Sequence, residues 1–130
     1  MDLKKLYTIA DGNSIDIDYF PMKKVVSIST FDSVAIDVRK INSTAEETTI
    51  LGHELGHCMT GSFYQIRTLE TKERMEYRAN KWAFQMLIPC RDLNEAFENG
   101  ITETYELAEY FNVTEDFIRK AVFYYKTQES

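Results

Sequence analysis

Apolar positions in the first 42 residues follow two periods in turn. Leu3, Leu6, Tyr7 and Ala10 are spaced as one face of a short helix over Leu3 to Ala10, and Asp11-Gly12-Asn13 supplies its stop. The period then drops to two. Ile15 to Tyr19 alternates, Val25 to Ser29 is β-branched and half apolar, and Val34 to Val38 alternates again, with Phe31-Asp32-Ser33 between the last two. Three short extended segments in succession predict a small antiparallel meander.

From residue 43 the period becomes about 3.6. Ser43 or Thr44 is the expected N-cap, with Glu46 or Glu47 three residues on in a capping-box pattern, and the helix runs to about Met59 before Gly61. Leu51, Leu55 and Cys58 form its apolar stripe; His53 and His57 lie on a neighbouring one. A second long helix is expected over Thr71 to Leu87, ending before Pro89. Its Ala79 and Ala83 permit close approach to the first, while Trp82, Phe84 and Leu87 are core or pocket wall. Shorter helices follow at Arg91 to Phe97, closed by Asn99-Gly100, at Glu103 to Tyr110, and at Glu115 to about Lys126, with Thr102 and Thr114 as N-caps. The class is therefore α+β. With no repeat or linker, the 130 residues are expected to form one domain: helix and sheet over 1–42, the two long helices over 43–90, and C-terminal helices over 91–130.

Composition narrows the partners. Apolar residues make up 44% and charged residues 28%, as in ordinary globular domains, and 21 acidic against 15 basic residues leave a net charge of −6. That balance argues against nucleic acid as a partner. The opening MDLKKLYTIADGNS lacks the apolar run of a signal peptide, and no stretch is long enough to span a bilayer, so no membrane association and a cytoplasmic location are expected. Cys58 and Cys90 are too few for a disulfide framework, and each is expected to pack as a small hydrophobe.

The chemistry lies in His53-Glu54-Leu55-Gly56-His57, an H-E-x-x-H pattern that uses the only two histidines of the chain. One helical turn separates the imidazoles, so both can converge on one ion at about 2.0–2.1 Å. Glu54, rotated by about 100° from His53, reaches water on that ion without being a ligand. The partly apolar surroundings of Ile50, Leu51 and Leu55 make unpartnered polar groups costly there, which argues against incidental histidines. A catalytic site of this kind takes a third protein ligand. Glu76, 19 residues after His57 on the next long helix, is the first choice, with Glu70 and Glu73 as competitors. Asn80, one turn after Glu76, is placed to orient a histidine N–H. Two histidines and a carboxylate suit Zn²⁺ best, with Mn²⁺ or Fe²⁺ as less favoured occupants.

These blocks resemble the ImmA/IrrE-type zinc metallopeptidases. The first match is His53 to His57; the second runs Glu76-Tyr77-Arg78-Ala79-Asn80-Lys81-Trp82-Ala83 and continues to Met86-Leu87-Ile88-Pro89. The family commonly reads E-x-x-A-N-x-F-A-x-x-L-L-M-P there, so Trp82 and Ile88 are conservative departures. A further histidine that often follows the family's first motif is replaced here by the Thr60-Gly61 stretch. The likeness extends more loosely over the strands and C-terminal helices, and the extra domains of longer members are not expected here. It implies that Glu76 is the third metal ligand of a zincin-like helix pair. It also implies a site-specific endopeptidase that relieves transcriptional repression by cleaving a helix-turn-helix repressor, often encoded beside it on a phage or mobile element. With that ligand set a bound zinc ion activates water and polarises the scissile carbonyl, while Glu54 takes the proton and passes it to the leaving amine. Val34 to Val38 is the strand expected to pair with extended substrate, and Tyr64 and Tyr77 are the candidate oxyanion donors.

Thr104 to Tyr125 reads as a helix-turn-helix, with Leu107, Ala108 and Phe111 inward and Asn112-Val113 at the turn. From Ile101 to Ser130 there are six acidic and three basic residues, and Glu115-Asp116 sits where a recognition helix would approach phosphates. Structural packing is favoured over a protein-docking surface, and both over DNA contact. The competing function is a non-catalytic antirepressor that binds a repressor through the same surface without turnover.

Overall fold

A computed structural model describes residues 3–63 and 71–128. Helix α1 (Leu3–Gly12) leads into β1 (Asp16–Tyr19), β2 (Ser27–Thr30) and β3 (Ser33–Ile36), then a 3-10 turn at Val38–Lys40. The rest is helical: α2 (Thr44–Thr60), α3 (Lys72–Leu87), α4 (Cys90–Glu98), α5 (Thr104–Phe111) and α6 (Glu115–Gln128). The expected α+β class is what forms.

The sheet is mixed, which corrects the antiparallel meander. Its order is β1-β3-β2, with β3 parallel to β1 and antiparallel to β2. The turn Phe31-Asp32 forces β2 and β3 to be hairpin neighbours, whereas residues 20–26 are long enough to carry the chain past one strand position. The centre then goes to β3, whose Val34 and Ile36 are fully buried. Asp37, just beyond it, holds the connection in place. Its buried carboxylate accepts from Met22 N–H at 3.0 Å and from the Arg39 guanidinium at 3.0 Å, while Lys40 Nζ donates to the Met22 and Val25 carbonyls at 2.6 and 3.0 Å. Because β3 is paired on both sides, Val34 to Val38 has no free edge for a substrate; the open edge that borders the site is β2.

Ser43 caps α2, its Oγ accepting from Glu46 N–H at 3.1 Å, and Glu46 reaches back to Asn42 N–H at 2.8 Å, a capping box displaced by one residue. Gly61 ends the helix in the left-handed region at φ 65°. Leu51 and Leu55 are fully buried beneath the sheet and helices, where truncation to alanine costs about 2–5 kcal/mol. The antiparallel α2/α3 contact is tight on both sides. The expected Ala79 and Ala83 are fully buried, and α2 faces them with Gly52 and Gly56.

The C-terminal helices pack as the inward positions predict, with Leu107, Ala108 and Phe111 buried in α5 and Phe117, Ile118, Ala121 and Tyr124 in α6. Their turn is fastened to α2. Asn112, at φ 54°, donates to Thr48 Oγ1 at 3.1 Å, and Thr114 N–H donates to Thr49 Oγ1 at 3.0 Å. Thr114 caps α6 as expected, but Glu103 rather than Thr102 caps α5, paired reciprocally with Glu106. Tyr125 Oη–H closes the end of α3 by donating to the Ile88 carbonyl at 2.7 Å; burial pushes this phenol up to about 12. Cys58 and Cys90 are both free thiols, and Cys90 is exposed instead of packed, because it opens α4 at the surface. Among the described residues no helix is long and apolar enough to cross a membrane.

Candidate metal centre

The two histidines project from the middle and end of α2 toward α3. Their rings meet edge to face, with centroids 4.8 Å apart and planes at 87°, so that Nε2 of His53 and Nε2 of His57 lie 3.2 Å apart. Glu76, just over one turn into α3, spans the pair: Oε2 is 3.1 Å from His53 Nε2 and Oε1 is 3.2 Å from His57 Nε2. Tight packing of Gly56 against Ala79, one turn beyond Glu76, sets the helix separation that makes this possible.

The opposite ring nitrogens are both engaged. Nδ1–H of His53 donates to Asn80 Oδ1 at 2.8 Å, and Nδ1–H of His57 donates to the Ser62 carbonyl. These bonds select the tautomer that leaves a lone pair on each Nε2. Two lone pairs and a carboxylate therefore face one another, an arrangement that repels itself until a cation lies between them. Ideal tetrahedral ligands at about 2.0–2.1 Å from zinc stand about 3.3 Å apart, and the separations of 3.1–3.2 Å found here fit that figure. The donor set thus suits a divalent metal. His53, His57 and Glu76 form the one such three-ligand group among the described residues.

Glu54 lies beside this group, buried to 8% exposure, and accepts a hydrogen bond at Oε2 from Ser27 Oγ of the sheet edge. It shares with the ligands a cavity of about 270 Å³ that also touches Ser27, Ile28, Ser29 and Phe63. Of the other anticipated residues, Glu73 is exposed, outside the three-ligand group. Tyr77 lines a neighbouring cavity and not the one around the histidines. Tyr64 and Glu70 lie outside the described residues.

Ser27 and Ser62 were not anticipated. Ser27 is one of the polar positions of a half-apolar strand, and its hydroxyl faces α2. Ser62 is fully buried and acts through its backbone: Gly61 turns the chain so that the Ser62 carbonyl meets His57. The Ser62 hydroxyl meets Thr60 Oγ1 at 2.7 Å and accepts from Arg78 Nε at 3.1 Å, which ties this carbonyl to α3. The only sequence signal is the Gly61 stop. Cys58, next to His57, donates to the Thr30 carbonyl at 3.2 Å, and burial, with the Glu54 and Asp32 charges adding, pushes its thiol up to about 11.

A helix bearing two histidines one turn apart, a buried glutamate between them and a third ligand from the following helix define the H-E-x-x-H metallopeptidase class. The chain belongs to the M78 peptidase family, matching the model of the IrrE N-terminal-like domain over residues 13–123, which takes in every element of the site. No curated protein and no solved structure matches it.

Proposed function

We propose that this chain is a zinc-dependent endopeptidase that acts in the cytoplasm on a helix-turn-helix transcriptional repressor, relieving repression by cutting it. The observation that carries the reading is the convergence of His53, His57 and Glu76 with buried Glu54 beside them, in a member of a metallopeptidase family. When bound, the metal supplies Lewis acidity, bringing the pKa of water toward about 7 and polarising a carbonyl. Glu54 takes the proton of the attacking water and delivers it to the leaving amine. Ser27 Oγ–H keeps the Glu54 carboxylate turned into the cleft.

The edge of β2 is built to hold an extended chain. Asp37 N–H donates to the Val26 carbonyl at 2.8 Å, so in this register Val26, Ile28 and Thr30 pair inward with β3. Antiparallel pairing then turns the backbone groups of Ser27 and Ser29 to the open side, over the cavity that contains the histidines. Substrate recognition by main-chain bonds would thus be sequence-tolerant, and side-chain pockets would supply the choice of bond.

The reading is tested by incubating metal-loaded protein with a helix-turn-helix repressor from its genetic neighbourhood. Wild type should yield two fragments, and Glu54→Gln, with unchanged metal content, should be slower by about 10²–10⁴-fold. A repressor that stays whole while derepression still occurs would replace cleavage by the binding-only antirepressor.

A further inference from the structure

We propose that the cleft continues past the metal centre into an aromatic basin between α3 and α6 that receives a large apolar side chain of the polypeptide being cut. This rests on the peptidase reading and adds the side chain it selects. Three neighbouring cavities share wall residues. The one around the histidines is bounded by Ser27, His53 and Glu76. A second, of about 260 Å³, shares those three residues and runs on to Asn80, Asp116 and Lys120. A third, of about 490 Å³, begins at Asn80, Asp116 and Lys120 and is walled by Tyr77, Phe84, Phe123 and Tyr124. Taken as one trench, the three run from the Ser27 end of the substrate edge, past His53 and Glu76, to α6.

The two ends of the trench differ in chemistry. Near the ligands the walls are serine, histidine and carboxylate; at the far end they are rings. Tyr124 stands 5.5 Å from Phe84 and 6.5 Å from Tyr77, centroid to centroid. Phe84 is buried, but Phe123 is 70% exposed and Tyr77 52% exposed. Two large rings are therefore left in water at the end of a polar channel, where covering them gains about 25 cal/mol per Å². The basin volume lies within the range of about 300–1,000 Å³ typical of ligand pockets. Phenylalanine, tyrosine, tryptophan, leucine or methionine suits it.

Charge at the rim refines the choice. Asp116 and Lys120 neutralise one another at 2.9 Å, and Arg119 is the remaining charge on the basin wall. A substrate with an acidic residue next to its large apolar one is favoured over a basic one. Adjacency to the metal centre, through the walls shared at Glu76 and Asn80, makes the bound polypeptide the occupant, in preference to a second copy of this chain.

Two measurements test the basin. First, zinc-loaded, isotope-labelled protein is titrated with N-acetyl-phenylalanine amide and N-acetyl-alanine amide. The phenylalanine probe should move resonances of Tyr77, Asn80 and Phe123 and the alanine probe should not; Phe123→Ser should abolish the response. Equal responses to both probes, or shifts confined to other surfaces, would overturn the proposal, as would concentration-dependent shifts of these same residues without any probe, which identify a second copy as the occupant. Second, wild type is given a degenerate peptide library and the cut sites are sequenced. Large apolar residues should be preferred over alanine at one position on one side of the bond by about 10–200-fold, with Phe123→Ser collapsing that ratio and Arg119→Glu reversing the preference for an acidic neighbour. Cleavage without such preference overturns the basin. Absence of all cleavage, of library and repressor alike, overturns the peptidase reading instead, and the probe titration then decides the basin alone.

Discussion

Gly56 and Ala79 meet backbone to backbone: a β-carbon on Gly56 would lie 2.3 Å from the Ala79 carbonyl oxygen. Glycine is required here for proximity, since α2 is regular around it. The contact sits one residue before His57 and three after Glu76, so it sets the distance across which Glu76 reaches the histidines.

Gly56→Ala should therefore lose more than the roughly 1 kcal/mol that helix propensity returns. Backbone cannot yield as a side-chain tip can, so α3 must move outward, and overpacking of this kind costs about 1–3 kcal/mol. Thermal unfolding should show a net fall in Tm, and chelator competition should show weaker zinc binding. A variant of unchanged Tm and unchanged zinc affinity would contradict the close approach.

Asn80 should influence a bound metal through His53. Replacing it with alanine removes the acceptor that fixes the His53 tautomer at 2.8 Å, and zinc affinity should fall by about 10–100-fold while the fold is kept. Competition with a chromophoric chelator measures this directly. Circular dichroism at equal concentration separates it from unfolding.

Asp37 should make stability depend on acid. The Arg39 guanidinium beside it, helped by Met22 N–H, holds its carboxyl well below the usual carboxylate range. An unfolded aspartate titrates near about 3.9. The stabilisation is thus complete above that pH and is lost as the pH falls from there toward the lower native value. Asp37→Asn should lower Tm at pH 7, and the gap to wild type should narrow below about pH 4. A gap independent of pH would show that the Asp37 charge contributes nothing.

The helix pair was legible because its signals are local. H-E-x-x-H has meaning only on a helix, Ser43 and Gly61 bound that helix, and Glu76 and Asn80 share a face of the next. Strand order was not legible, because alternation marks a strand without naming its neighbours. The deciding residue, Asp37, reads as one more polar position, yet its carboxylate ties residue 22 to the end of β3. In β2 the usual rule is inverted. Ile28 is 52% exposed, and Ser27 turns inward to Glu54, because this strand borders a polar cleft instead of a core. The Ser62 partner of His57 is a backbone carbonyl, which no side-chain pattern can announce.

Everything proposed for the site depends on His53, His57 and Glu76 holding one metal ion. Native mass spectrometry of protein exchanged into zinc-containing and then zinc-free buffer tests it most directly, with Glu76→Ala run beside wild type. The prediction is one zinc per wild-type chain and loss of most of it in Glu76→Ala. Wild type that takes up no zinc, or Glu76→Ala that retains it with equal affinity, would contradict the three-ligand centre.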